Sequence, residues 1–171
     1  VGTIVAPRRF VDDSSNLKSF AEKTFDQHAN TSTKVLLVEY IGASRRIADH
    51  LQVPLESRVL FVKRLRFIDS EPIGLFTSYV RGDLGIREDH DYSGSMYKIL
   101  EQIYNVRIGA AEKVIEAISA TVEEANILGV CTGDALLLMR NTTYEQSGKP
   151  VEYAEGLYRS DRYKYVVHLK R

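Results

Sequence analysis

The β-rich segments of this sequence come in pairs joined by short polar turns, and this pairing constrains the fold more than any other feature. Residues 57–68 and 73–80 flank the turn Asp69-Ser70-Glu71-Pro72, and residues 135–144 and 151–158 form a second pair. Such pairs predict β-hairpins, whose strands run antiparallel. Because the strands group into hairpins and do not alternate regularly with helices, the sequence predicts an α+β fold with an antiparallel sheet.

The other segments predict helices that flank this sheet and a few further strands. Apolar residues at helical spacing, together with a capping box formed by Thr121 and Glu124, predict helices over 17–25, 44–51, 96–104 and 121–128. Further strands are predicted at 1–7, 34–41 and 163–169, and polar loops at 8–16 and 81–95. Residues 107–120 carry β-branched side chains and favour a strand, although 110–118 also fits a helix.

Composition excludes several classes of protein. A chain of 171 residues, 44% hydrophobic and 27% charged, fits one globular domain and not a disordered chain. No apolar stretch approaches the roughly 18 residues of a membrane span, so we expect no membrane association and a cytoplasmic location. Lys and Arg number 23 and Asp and Glu also number 23, so the chain lacks the basic excess of a nucleic-acid binder.

Motifs that would indicate catalysis are missing from the sequence. It contains no G-x-S-x-G nucleophile elbow, no H-E-x-x-H pair and no phosphate-binding P-loop. The four histidines are scattered without the spacing of metal ligands. We therefore expect no enzyme, no metal and no cofactor.

Two arginines share one face of the predicted strand 57–68. Side chains two apart lie on the same face, so Arg64 and Arg66 lie side by side with Leu60 and Val62. Their mutual repulsion is costly unless an anion or a carboxylate lies between them, and guanidinium groups match the oxygens of phosphate or carboxylate. The alternative is that local acids such as Glu71 or Glu152 neutralise them.

A second candidate anion contact lies where the helix 96–104 begins. Helix starts present free backbone N–H groups and the positive end of the helix dipole, and Ser95 and Tyr97 add hydroxyl donors. The alternative is that Ser93 or Ser95 only caps the helix.

The strand 151–158 adds two polar groups that could recognise a ligand. Glu152 and Tyr158 differ by six positions and so face the same side of a regular strand, where they could bind hydroxyl or amino groups. Alternatively, they pair with arginines of the sheet. Arg140, on a face with Leu138 and Thr142, could join the same network.

Several short segments together resemble a known family. The segments are Val1-Gly2-Thr3-Ile4-Val5-Ala6, Arg64-Leu65-Arg66, Asp69-Ser70-Glu71-Pro72, Ser95-Met96-Tyr97, Val122-Glu123-Glu124-Ala125 and Glu152-Tyr153 running into Tyr158-Arg159-Ser160-Asp161-Arg162-Tyr163. The chain resembles the UTRA effector domain of the HutC subfamily of GntR-type bacterial regulators over nearly its whole length. The closing E-Y-x(4)-Y-R-x-D-R-Y run is the most specific part of this resemblance.

The resemblance implies a chorismate-lyase-like α+β fold, a homodimer, and repression of catabolic genes until a metabolite binds. In amino-sugar regulators of the family, an Arg-x-Arg strand pair and a Ser-x-Tyr helix start hold the phosphate of a sugar phosphate. These match Arg64, Arg66, Ser95 and Tyr97. The backbone near Phe20 and Ala21 would also contact the phosphate, and Glu152 and Tyr158 would contact the sugar.

One position departs from the family pattern. Those regulators carry a glutamate ten residues after the second arginine, where this sequence has Phe76. We therefore expect an anionic, phosphorylated effector with a more apolar portion than glucosamine 6-phosphate.

The resemblance also suggests how the chain is divided and which other functions compete. Residues 1–13 would be the end of a DNA-binding wing and an interdomain linker, and residues 14–171 the effector domain. Operator DNA would be contacted only through a winged helix-turn-helix upstream of this sequence. The competing interpretations are a ligand-free dimerisation module and a chorismate-lyase-like enzyme.

Overall fold

The structure, a computed structural model, describes residues 9–13 and 30–169. The predicted strand 1–7, the predicted helix 17–25 and the candidate contacts Phe20 and Ala21 lie outside the described residues. The strands are β1 (Phe10–Asp13), β2 (Thr31–Gly42), β3 (Arg58–Ile68), β4 (Glu71–Arg81), β5 (Ile108–Ser119), β6 (Ala135–Glu145), β7 (Pro150–Arg159) and β8 (Tyr163–Val166). The helices are α1 (Arg45–Leu51), α2 (Met96–Lys98, continued by a π-helical turn over Ile99–Ile103) and α3 (Val122–Leu128).

Six strands form one antiparallel sheet in the order β2-β3-β4-β7-β6-β5. The predicted hairpins are its core, because β3 pairs with β4 and β6 pairs with β7. The predicted α+β class with an antiparallel sheet and flanking helices is therefore confirmed. The strand interpretation of 107–120 is confirmed as β5, and its helical alternative is wrong.

Two helices cover one face of the sheet, here called the back face. Helix α1 packs Ile47 and Leu51 against Tyr153 of β7. Helix α3 packs Leu128 against Leu136 of β6. The predicted capping box begins α3: the Thr121 hydroxyl accepts from the Glu124 backbone N–H, and the Glu124 carboxylate accepts from the Thr121 N–H.

The opposite face, here called the front face, carries Arg64 and Arg66. Part of it is covered by α2 and the loop before it, where Leu100 and Tyr92 pack on Leu60 and Val62 of β3. The rest is covered by β1 and β8, where Phe10 and Tyr163 pack with Phe76, Tyr158 and Met139. The cavity described below lies between these two covers.

Strand β1 corrects a prediction. Residues 8–16 are predicted as a loop, yet Phe10–Asp13 pairs in parallel with β8, with Phe10 opposite Tyr163 and Asp12 opposite Tyr165. Four residues are too few to show the alternation of apolar and polar side chains that predicts a strand. Their strand conformation depends on a partner about 150 positions later in the chain. Strand β8 also ends at Val166, before the predicted end at Leu169. Among the described residues, no helix is long and apolar enough to cross a membrane.

Candidate functional site

A cavity of about 90 Å³ opens on the front face of the sheet. Strands β1, β3, β4, β5, β6 and β7 and helix α2 all contribute to its walls. The lining residues are Asp12, Arg64, Arg66, Phe76, Thr77, Ser78, Met96, Tyr97, Lys113, Met139, Asn141, Glu152, Ala154, Glu155, Gly156 and Tyr158. This space holds several water molecules or a polar head group of similar size.

Arg64 and Arg66 are two of the charged residues that line this cavity. Each side chain is only 4% exposed. Arg64 donates to the Ser78 hydroxyl over 3.0 Å and to the Gly94 carbonyl over 3.3 Å, while its Nε has no hydrogen-bond acceptor in the described part of the chain. The Arg66 guanidinium lies 4.9 Å from the centroid of the Phe76 ring. Strand periodicity correctly places the two arginines together in one cavity.

Burial makes both guanidinium charges costly. Desolvation lowers the pKa of Arg64, and the charge of Glu152 partly opposes that change. Desolvation and then the neighbouring charge of Arg64 lower the pKa of Arg66 to about 9, while Tyr158 and Glu152 act in the opposite direction. Arg66 still stays protonated at neutral pH. A bound anion would stabilise both charged groups, and this is the physical reason to regard the pair as an anion site.

Glu152 connects the arginines to a chain of hydroxyl groups. It is 3% exposed, and the hydroxyls of Ser78 and Thr143 hydrogen-bond to its carboxyl group. The Tyr97 hydroxyl lies 3.1 Å from that of Thr143. Desolvation raises the pKa of Glu152 despite these hydrogen bonds and the two arginines. Burial thus moves Glu152 toward its neutral form, in which it offsets less of the arginines' charge.

Ser95 has the local role that the sequence left open as an alternative. Its side chain accepts the backbone N–H of Lys98 over 3.3 Å and so caps the first turn of α2. Its neighbours Met96 and Tyr97 line the cavity. Ser95 is buried beside the cavity and is not among the residues that line it.

Phe76 occupies a space that two glycines leave open. Its ring meets the Tyr158 ring edge-on, with 5.0 Å between centroids. A Cβ atom added to Gly156, directly opposite Phe76, would lie 2.8 Å from the Tyr158 ring and 3.1 Å from the Phe76 ring. A Cβ atom at Gly74 would lie 3.0 Å from the Phe76 ring. The aromatic wall of the cavity therefore depends on glycine at both positions.

Two charged side chains that the sequence analysis does not single out lie elsewhere on the cavity wall. Asp12 of β1 is 3% exposed, and its carboxylate accepts a hydrogen bond from the Tyr163 hydroxyl. Lys113 of β5 places its Nζ 4.9 Å from the centroid of the Tyr165 ring. The sequence does not indicate Asp12 as a site residue, because it predicts a loop at 8–16.

Ser78 is a further lining residue that the sequence analysis missed. It could have been found by parity, because it shares a strand face with Phe76 and binds Arg64. The structure brings six of the predicted site residues into one cavity. They are Arg64, Arg66, Phe76, Tyr97, Glu152 and Tyr158.

Two expected partners of the site lie elsewhere. Arg140 points to the back face, where it pairs with Glu116 and donates to Glu155 over 3.0 Å, so its predicted place with Glu152 and Tyr158 is wrong. In β6, even-numbered residues face back and odd-numbered residues such as Asn141 face front. Glu71 pairs with Arg162 over 2.6 Å and not with the buried arginines.

Comparison with known proteins identifies the family. A sequence model of the UTRA domain matches residues 26–164. The chain belongs to the UTRA domain family. Over 99% of its length, this UTRA domain is 29% identical to the HTH-type transcriptional repressor NagR of Bacillus subtilis, covering 70% of NagR. It is 28% identical over 99% of its length to the mannosyl-D-glycerate transport/metabolism system repressor MngR of Escherichia coli, covering 71% of MngR.

Solved structures support the same fold. The UTRA domain superposes on the crystal structure of PhnF from Mycobacterium smegmatis with a TM-score of 0.88 at 21% identity, covering 98% of this chain and 74% of PhnF. The relatives are transcription regulators of the GntR type. Within residues 9–13 and 30–169, no three His, Cys, Asp or Glu side chains group so that they could hold a metal ion.

Proposed function

We propose that this UTRA domain binds a small phosphorylated metabolite and that Arg64 and Arg66 anchor its phosphate. The observation that carries the proposal is the pair of buried arginine side chains that line one cavity. The charge of Arg64 lowers the pKa of Arg66, so the two cations repel each other, and a dianion such as a phosphate ester compensates both. Ser78, Tyr97 and Thr143 add hydroxyl groups to the site.

Neutralisation of the two arginines by carboxylates of the chain itself explains the site less well than a bound anion does. Glu71 pairs with Arg162 and not with the buried arginines, and Glu152, whose charge opposes the decrease in the pKa of both arginines, is itself penalised by burial. One relative, MngR, represses a transport and metabolism system for mannosyl-D-glycerate, a sugar derivative that is itself an anion. An anionic effector is consistent with both facts.

We propose binding and not catalysis. Among the described residues that line the cavity there is no histidine or cysteine, and Ser78, the serine among them, contacts Arg64 and Glu152. The relatives are repressors, which fits a sensor and not a lyase.

In the proposed regulator, effector binding in this domain controls a winged helix-turn-helix that lies upstream in the chain and contacts operator DNA. Effector that binds one arrangement of a homodimer more tightly shifts the population toward it and changes the spacing of the DNA-binding heads. Residues up to Asp13 act as the interdomain linker, and the protein works in the cytoplasm, where its operator lies. The net charge of zero fits a domain that leaves DNA contacts to another part of the protein.

A binding screen tests the anion site. This chain is titrated with inorganic phosphate, sulfate and a panel of phosphate esters while its melting temperature is measured. A ligand at about 100 times its dissociation constant adds about 2.7 kcal/mol of stability and raises the melting temperature. We expect a selective increase for a phosphate ester, lost in Arg64→Ala and in Arg66→Ala.

Arg58→Ala is the matched control, because Arg58 lies on the same strand but is exposed and stacks on the Tyr40 ring at 3.7 Å. It should keep the ligand-induced increase. If no anion raises the melting temperature of the wild type, the arginines are structural and the domain is a dimerisation module. If Arg58→Ala loses the increase as fully as Arg64→Ala, the site has been assigned to the wrong arginines.

A further inference from the structure

Asn141 of β6 carries a buried hydrogen-bond acceptor that has no donor. Its side chain lines the cavity on the front face of the sheet. The carboxamide oxygen, Oδ1, is buried, and no donor in the described part of the chain reaches it. A buried polar atom without a partner costs free energy, so native structures rarely retain one unless a bound molecule or a functional role accounts for it. Asn141 therefore indicates where a ligand would place a donor.

The same cavity also holds a buried donor that has no acceptor. The Nε of Arg64 is buried and finds no acceptor within residues 9–13 and 30–169. Arg64 and Asn141 both line the cavity, so one ligand can satisfy both groups. An anionic oxygen would accept from Arg64, and a hydroxyl or ammonium group would donate to Asn141. The two unsatisfied groups thus describe a ligand that carries an acceptor and a donor.

The register of the strands gives the placement of these two groups. Ser78, which accepts from Arg64, lies opposite Ala154 of β7, and Asn141 lies opposite Ala154 on the other side. Neighbouring strands are about 4.8 Å apart, so the backbones of Ser78 and Asn141 are about 10 Å apart across β7. Ala154 and Gly156 line the cavity along β7. Because neither has a large side chain, a ligand has room to extend over β7 from Ser78 toward Asn141.

The Asn141 carboxamide can turn toward such a ligand. The residue as a whole is half-buried, and the last torsion of an asparagine side chain is broad, so the amide rotates at small cost. Its oxygen accepts from a hydroxyl or ammonium group without adding a negative charge to a site that holds an anion. A carboxylate at this position would also repel the phosphate.

We propose that Asn141 is a specificity-determining residue, which accepts a hydrogen bond from a hydroxyl or ammonium group of the effector. The inference rests on the proposed anion site and adds the donor that the rest of the effector carries. The ligand class that fits is a phosphate ester whose organic portion crosses β7 over Ala154 and carries a hydroxyl or amino group there.

Pairs of phosphate esters that differ in their donors test this role. Isothermal titration of this chain would compare propyl phosphate with 3-hydroxypropyl and 3-aminopropyl phosphate, and hexyl phosphate with a hexose 6-phosphate. The ratio of dissociation constants within a pair is the donor preference. In the wild type it should reach about tenfold in at least one pair, as expected for one additional hydrogen bond in a buried site. In Asn141→Leu, which removes the acceptor and keeps the size of the side chain, that preference should fall to within about twofold.

Further variants and a melting curve separate recognition from packing and charge. Asn141→Asp keeps an acceptor and adds a charge, so it should weaken every ester yet retain the preference for a hydroxyl. Asn126→Leu makes the same change as Asn141→Leu at an exposed position on α3, on the back face, and should keep the wild-type preference. Without ligand, Asn141→Leu should melt at or above the temperature of the wild type, because it removes a buried acceptor that has no donor.

Several results would overturn this assignment while leaving the anion site intact. Each alkyl ester could bind as tightly as its donor-bearing counterpart, or Asn141→Leu could keep the wild-type preference. Asn141→Asp could lose the preference for a hydroxyl, which would mean that the amide nitrogen and not the oxygen meets the ligand. By contrast, failure of inorganic phosphate and of every ester to bind the wild type would overturn the proposed function and this inference together.

Discussion

The guanidinium of Arg66 lies 4.9 Å from the centroid of the Phe76 ring. Phe76 stands where the sequence resemblance places a glutamate in the amino-sugar regulators of this family. A glutamate there would form an ion pair with Arg66, whereas a phenyl ring contacts the cation through its π face and adds no negative charge. Phenylalanine in place of glutamate at position 76 therefore leaves more positive charge available for a ligand anion. It also makes the cavity wall beside Arg66 apolar.

Changing Phe76→Glu should weaken phosphate binding. The new carboxylate would compete with the ligand for Arg66, and loss of about 1.4 kcal/mol corresponds to a tenfold weaker affinity. Isothermal titration with the tightest phosphate ester measures the effect. Phe76→Leu, which keeps an apolar side chain without a charge, should stay within about threefold of the wild type. Equal losses in both variants would mean that ring shape, and not charge, governs the position.

Strand periodicity accounts for much of what the sequence reveals about this site. Arg64 and Arg66 are two positions apart, and Glu152 and Tyr158 are six positions apart. The side chains of both pairs line the same cavity. Arg140 lies on the opposite, back face of the sheet. Periodicity alone could not predict this, because the sequence does not show which face of β6 points to the same side as the two arginines. Periodicity groups residues within a strand, whereas pairing between strands decides which groups meet.

Strand β1 could not be predicted in this way. Its four residues contain Asp12 and Asp13, which disfavour strands in isolation, and its only strand partner in the described residues is β8. The contact that keeps Asp12 buried comes from Tyr163, which lies 151 positions away. Non-local pairing therefore brings Asp12, a charged residue of the predicted linker, into the cavity.

The pH dependence of stability should carry a signature of Glu152. Burial raises its pKa above the ordinary value of 4.5, so its contribution to the free energy of unfolding is fully present below pH 4.5 and is lost as the pH rises through the folded-state pKa. Relative to Glu152→Gln, the wild type should therefore become less stable as the pH rises above 4.5. Urea unfolding of both proteins across this range measures the difference.

Glu155 is a matched comparison for Glu152, because its pKa is shifted in the opposite direction. Burial tends to raise its pKa, but its hydrogen bond with Arg140 and the charge of Arg46 outweigh burial and lower it below 4.5. Relative to Glu155→Gln, the wild type should lose stability as the pH falls through that pKa. The same sign of pH dependence for both variants would contradict the assigned environments.

The edges of the sheet predict how two copies associate. Among the described strands, β2 and β5 are the two edges of the six-stranded sheet, and they expose Leu37 by 42% and Val114 by 45%. Exposed edges of this kind bind other strands, and a charged side chain blocks them.

We expect a dimer in sedimentation velocity, and we expect Leu37→Lys or Val114→Lys to produce monomers and so identify the edge. Ile103→Lys, a change at a residue that is 56% exposed but not on an edge, should remain dimeric. Dimers in all three variants would exclude both edges as the interface.

Gly156→Ala tests whether the aromatic wall shapes the ligand site. The added methyl group would lie 2.8 Å from the Tyr158 ring and 3.1 Å from the Phe76 ring, so the rings that line the cavity must shift. Overpacking of this kind costs about 1–3 kcal/mol in the free energy of unfolding. The tightest phosphate ester should bind about tenfold more weakly, while inorganic phosphate, which reaches only the arginines, should bind within about twofold of the wild type.

Gly94→Ala is the control for this change. Gly94 lies in the loop that contacts Arg64, and an added Cβ there meets nothing within 4 Å. It should leave both affinities unchanged. Gly156→Ala could weaken the binding of inorganic phosphate as strongly as that of the ester. The two rings would then hold the arginines in position, and the division of the cavity into an anion site and an aromatic wall would be wrong. Because both glycine variants add the same single methyl group, any difference between them reports the packing of Phe76 and Tyr158.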